Sequence, residues 1–150
     1  MNAFLPTAAA RARPSRALRG FTLIEVMIAL AVIAILSAIA YPQYTQQVVR
    51  ASREAAQAEL LELAAIQEKI YINSSGYASS ISGAYNGTSA GGLGVTSGKS
   101  RDGRYTFSLT AAGQNYTLTA TPVGGTTQAA DGELTLAGSG QRLWRGTKTW

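Results

Sequence analysis

The chain holds 150 residues, room for one domain of ordinary size. It carries 13 Lys and Arg against 8 Asp and Glu, a formal net charge of +5, and it has neither His nor Cys. Histidine general bases, cysteine nucleophiles, imidazole or thiolate metal sites and disulfides are therefore excluded. The basicity is local. Arg11, Arg13, Arg16 and Arg19 stand within residues 1–20, a stretch without acids, and the remainder carries nine basic and eight acidic residues, a net +1. Such a distribution marks a targeting signal rather than the field of a nucleic-acid-binding domain.

Residues 21–41 read FTLIEVMIALAVIAILSAIAY, with Glu25 as the one charge. As a helix this run spans roughly 30 Å, the thickness of a bilayer core. The arginines before it keep residues 1–20 in the cytoplasm and send the following chain outside the inner membrane. Three readings compete. A secretory signal peptide would be cut at Ala38-Ile39-Ala40 and leave a chain starting at Tyr41. A bare single-pass anchor is the second. Both leave Glu25 unexplained, whereas an ionisable residue inside an apolar span is by default functional and needs a partner.

Arg19-Gly20-Phe21-Thr22-Leu23-Ile24-Glu25, with Pro42 further on, resembles the processing site of type IV prepilins and the related pseudopilins. The resemblance implies that a membrane prepilin peptidase cuts between Gly20 and Phe21 and that Phe21 becomes N-methylated. It also implies that the apolar helix stays attached and enters a filament. Cleavage would expose an α-amine on Phe21, which the Glu25 carboxylate of a neighbouring subunit could neutralise. Each charge would then be desolvated only when compensated.

Pro42 lacks an N–H and should bend or locally open the helix. Beyond it Val49, Ala56, Leu60, Leu63, Ile66 or Gln67, and Ile70 recur at helical spacing, predicting an amphipathic continuation over residues 42–73. Arg50, Arg53, Glu54, Glu59, Glu62 and Glu68 fall mainly on the opposite side. The whole helix from Phe21 to Asn73 would be roughly 80 Å long, with a stop at Asn73-Ser74-Ser75-Gly76.

Residues 74–150 form the expected head. Its first part, 74–103, is rich in Gly and Ser and reads as a long, mobile surface loop with at most one short strand. Tyr105, Phe107 and Leu109 then alternate with polar residues, as do Tyr116, Leu118 and Ala120. The intervening Ala111–Asn115 suits a hairpin loop. Leu134 and Leu136 make a third strand and Gln141–Trp144 a fourth. The expected fold is α+β, a long N-terminal helix packed on a small antiparallel sheet.

The head segments Tyr116–Pro122 and Gly132–Leu136, with the terminal Trp150, resemble the PilE-type minor pilins. Those proteins usually carry a cysteine before the Gly-x-Leu-Thr-Leu segment and another before the terminal tryptophan; here Asp131 and Thr149 take those places. A disulfide there could supply about 2–4 kcal/mol. In its absence Trp144 and Trp150 are candidate anchors of the C-terminal loop.

Two basic groups interleave with aromatic residues: Lys99, Arg101 and Arg104 beside Tyr105, and Arg142, Arg145 and Lys148 among Trp144 and Trp150. They are candidate DNA contacts, although a solvated rim over aromatic core residues is the preferred reading at a net charge near +1. Asp131 and Glu133 are too few for a calcium cage, and the Gly-rich loop lacks the spacing of a phosphate-binding loop. No catalytic residue, metal or cofactor is implied.

By resemblance the chain is a structural pilus subunit, most like a minor pilin, supporting adhesion, twitching or DNA uptake. Its partners would be other pilin subunits, the prepilin peptidase, the inner-membrane assembly platform and, before assembly, membrane lipid. It would reside in the inner membrane with the head outside and then in the extracellular pilus. A type II secretion pseudopilin and a membrane-anchored DNA-binding module are the alternatives.

Overall fold

The structure, a computed structural model, describes residues 20–150, so Arg11, Arg13, Arg16 and Arg19 lie outside the described residues. The chain divides into two units, one ending at Ile39 and one comprising Ala40–Trp150. A single helix, α1 (Leu23–Ser74), crosses that division with Pro42 inside it. In the first unit the apolar side chains are exposed on every side of the helix. Its most apolar 18-residue window has a mean hydropathy of 2.7, enough in length and composition to cross a membrane.

In the second unit α1 buries one stripe, Ser52, Ala56, Leu60, Leu63, Gln67 and Ile70. The 3- and 4-residue spacings put these side chains on one face. Gln67 rather than the half-buried Ile66 completes the stripe. Its amide is fully buried yet satisfied: the Gln67 Nε2 donates to the Ala78 carbonyl at 2.9 Å, and the Ala78 N–H donates to Gln67 Oε1 at 2.9 Å. None of the polar residues Arg50, Arg53, Glu54, Glu59, Glu62 and Glu68 joins that stripe, and Arg50, Glu54, Glu62 and Glu68 are exposed. Four of them, Arg53, Glu59, Glu62 and Glu68, also bond to groups of the head.

The sheet is an antiparallel meander of β1 (Tyr105–Ala112), β2 (Asn115–Pro122), β3 (Leu134–Ala137) and β4 (Arg142–Trp144), in that spatial order. β1 and β2 pair from Tyr105↔Pro122 to Ala112↔Asn115. The turn between them is therefore only Gly113-Gln114, and Gly113 at φ 60° supplies the first position of a type II′ turn. Alternation places Tyr105, Phe107, Tyr116, Leu118, Ala120, Leu134 and Leu136 on the face that closes over the α1 stripe. The architecture is α+β, as the sequence indicates.

Residues 74–103, expected to be a mobile surface loop, begin with the last residue of α1 and are then laced together. Ser75 ends α1 in the left-handed region at φ 53°. Backbone bonds then join Leu93 to Ser80, Gly94 to Gly83 and Val95 to Ile81 at 2.9–3.0 Å. A Cβ on Gly92 would lie 2.4 Å from the Gly83 carbonyl oxygen. Gly92 thus permits a close approach of the two backbone stretches. The segment contains no strand; its isolated bridges join Ser80 to Gly92 and Lys99 to Thr106.

Gln67→Ala removes both partners of the Ala78 peptide groups. At about 1–3 kcal/mol for each of the two buried unsatisfied groups, the head should lose about 2–6 kcal/mol. Urea unfolding of the purified chain in detergent, followed by tryptophan fluorescence, measures this.

Candidate functional site

Gly20 and Phe21 precede α1 and are exposed, as is Glu25 in its first turn. The Glu25 N–H donates to Thr22 Oγ1 at 3.3 Å, and the Val26 N–H donates to the Thr22 carbonyl. Thr22 is thus the N-cap and Glu25 stands three residues on, the spacing of a capping box. A carboxylate there also faces the positive end of the helix dipole. Sequence reading missed this local role, although Thr22-Leu23-Ile24-Glu25 carried the signal.

The second feature centres on Asp131, in the connection between β2 and β3, whose side chain is 2% exposed. Arg53 of α1 grips it with two nitrogens: Nε donates to Oδ2 at 2.8 Å and Nη2 to Oδ1. The Tyr105 hydroxyl at the start of β1 donates to Oδ2 at 2.5 Å, and Gln128 Nε2 donates to the same oxygen at 2.9 Å. The Asp131 main-chain carbonyl accepts two further bonds, from Trp144 Nε1 at 2.7 Å and Arg145 Nε at 2.8 Å. One residue at a cysteine position of the resembled proteins therefore joins the helix, the sheet and the C-terminal segment. Burial acts to raise the Asp131 pKa, and the hydrogen bonds from Arg53 and Tyr105 outweigh it, so the carboxyl lies below its ordinary value. Burial, then the bond to Asp131, pushes the Tyr105 phenol up.

The C-terminal basic residues gather on aromatic rings. Arg53 stacks 3.8 Å from the Trp144 ring centre, with Arg145 at 5.1 Å and Lys148 at 5.2 Å from it. Arg142 lies 5.5 Å from the ring of Trp150. Both tryptophans are anchored, Trp144 as above and Trp150 through its Nε1, which donates to the Leu143 carbonyl at 3.0 Å. Arg145 and Gly146 are consecutive left-handed residues, at φ 54° and 71°, in the tight turn that pairs Trp144 with Lys148. Arg145 tolerates that backbone while it donates to the carbonyls of Asp131 and Ala130. Gly132 leaves room for it, since a Cβ there would lie 2.4 Å from Arg145 Cγ.

The other basic group is split. Arg101 is committed to α1: its N–H donates to Glu59 at 3.1 Å and its Nη2 to Glu62 at 2.5 Å. Arg104 Nη1 donates to Thr127 Oγ1 at 3.2 Å. Lys99 is exposed on the segment bridging to Thr106. Sequence reading also missed Arg53 as a member of the Trp144 cluster; no local period could have joined residues 91 positions apart.

A family model described as type IV minor pilin ComP, DNA uptake sequence receptor, matches residues 42–135. A second, the prokaryotic N-terminal methylation motif, matches residues 16–41. The first covers α1 beyond Tyr41 and the sheet through Thr135, and stops before Arg142, Arg145 and Lys148. No curated protein matches the chain.

Because the folded Asp131 pKa is depressed below 3.8, its contribution is complete above about pH 4 and is lost as pH falls through the folded value. Thermal unfolding at pH 7 and pH 3 should show this loss, and Asp131→Asn should flatten the acid limb. At pH 7, Arg53→Ala leaves a buried, unpaired carboxylate and should cost about 3–5 kcal/mol.

Proposed function

The chain belongs to the type IV minor pilin ComP family and is a subunit of the type IV pilus; on that premise we propose that its head receives DNA. The match over the head favours the pilus over a type II secretion pseudopilus, which shares only the N-terminal motif. The description of the matching family as a DNA uptake sequence receptor supports the DNA reading. The observation that carries it is the ring of cations on anchored tryptophans. Arg142 and Lys148 are exposed, held near aromatic rings and without an acid partner among the described residues. That combination suits phosphate contacts. It reverses the weight given to a merely solvated rim. The chain then acts by binding and assembly and not as an enzyme.

Arg145 is also needed to hold the turn, so Arg142 and Lys148 are the discriminating positions. Binding of the full chain in detergent to a short fluorescent duplex should weaken in the Arg142→Ala/Lys148→Ala variant. The slope of log affinity against log salt should fall by about 0.9 for each phosphate that the variant leaves unneutralised. Equal affinity and slope would remove this surface from the reading.

The N-terminal part is read as a prepilin leader and assembly helix. A prepilin peptidase would cut between Gly20 and Phe21 and methylate Phe21, leaving α1 in the inner membrane with the head outside until incorporation. The new amine and the Glu25 carboxylate of a neighbour would pair in the filament. Support comes from the methylation-motif match, the apolar helix and the exposure of Glu25. Gly20→Ser should leave uncut precursor, read by intact mass and N-terminal sequence. Glu25→Ala should preserve processing and reduce the subunit in sheared pili; its capping N–H bond to Thr22 is main-chain and survives.

A further inference from the structure

A groove of about 530 Å³ runs along α1 past Tyr41, Gln46, Val49, Arg50 and Arg53 and is closed by Thr127 of the β2–β3 connection. Its lining contains two guanidinium groups and no carboxylate. Asp131 meets the charge of Arg53 from behind, whereas Arg50 is exposed and has no ion-pair partner among the described residues. A third cation stands at the rim, where Arg104 Nη1 donates to Thr127 Oγ1. An electropositive groove with hydrogen-bond donors and no acid suits an anion.

Position along the chain identifies the anion. The groove begins at Tyr41, the last residue of the apolar run, and Tyr41 and Tyr44 are 72% and 69% exposed, as aromatic residues at a membrane interface are. Arg50 lies about 13 Å along the helix from Tyr41. Helical side chains tilt toward the N-terminus, here toward the apolar run, so a long arginine reaches down to the headgroup layer roughly 5–8 Å thick.

We propose that this groove holds the phosphate of an anionic phospholipid headgroup, with Arg50 as the main charged contact and Gln46 beside it. The inference rests on the membrane-anchored reading of α1. It gives the unassembled subunit a seat on the lipid surface, from which filament entry would release it.

The test uses the full chain in phosphatidylcholine nanodiscs doped with phosphatidylglycerol, followed by native mass spectrometry. Wild type should retain phosphatidylglycerol, and Arg50→Gln should retain about fivefold less, the effect of one arginine at an anionic surface. Inorganic phosphate should not displace the lipid; displacement would show a free-anion site and overturn the headgroup assignment. Equal lipid retention by Arg50→Gln also overturns it, as does loss of duplex binding by this variant with lipid retention unchanged, which makes the groove a DNA contact. A chain that fails to remain in the nanodisc overturns the anchored reading and this site together. The DNA reading at Arg142 and Lys148 is judged separately by its own variant.

Discussion

A carboxylate can leave water only when donors replace its hydration, and Asp131 imposes that condition on the whole head. Its donors come from residues far apart: Arg53 on α1, Tyr105 on β1 and Gln128 three positions before it. Each must arrive at once, since a partly satisfied buried charge is worse than none. The same residue's main-chain carbonyl accepts from Trp144 and Arg145, so the C-terminal turn is tied to the same point of the head.

This arrangement stands where the resembled minor pilins place a cysteine, and it works differently from a disulfide. A crosslink acts largely by restricting the unfolded chain. The Asp131 cluster acts in the native state, against a desolvation cost that offsets much of its attraction. It has no dependence on redox conditions and acquires a dependence on acid. The cost of removing Arg53 measures the exposure of an unpaired charge rather than the net worth of the pair.

The cations of the head divide by what already holds them. Arg53 and Arg101 are paired with carboxylates, and Arg145 is spent on two carbonyls. Arg142 and Lys148 stay exposed beside anchored rings, and Arg50 stays exposed in the groove beside α1. Net charge near +1 conceals this division, because it counts neutralised and available cations alike. The positive charge that such a surface can offer a ligand comes from the few cations that the fold leaves without an internal partner.

The sequence by itself determined the local elements. Spacing of three and four placed Ala56, Leu60, Leu63 and Ile70 on one face of α1, and alternation placed Tyr105, Phe107, Leu118 and Ala120 on one face of the sheet. The residues around Gly20, Phe21 and Glu25 carried the family resemblance because a processing motif is contiguous. Tertiary structure alone decided the roles of Arg53, Glu59, Glu62 and Glu68, which a helical wheel assigns to solvent and the fold turns to the head. It alone showed that Asp131 is a buried hub, and that Gly92 permits a close approach to the Gly83 backbone. The physical reason is separation: Arg53 and Asp131 lie 78 residues apart, and no local period encodes which distant donor will satisfy a buried acceptor.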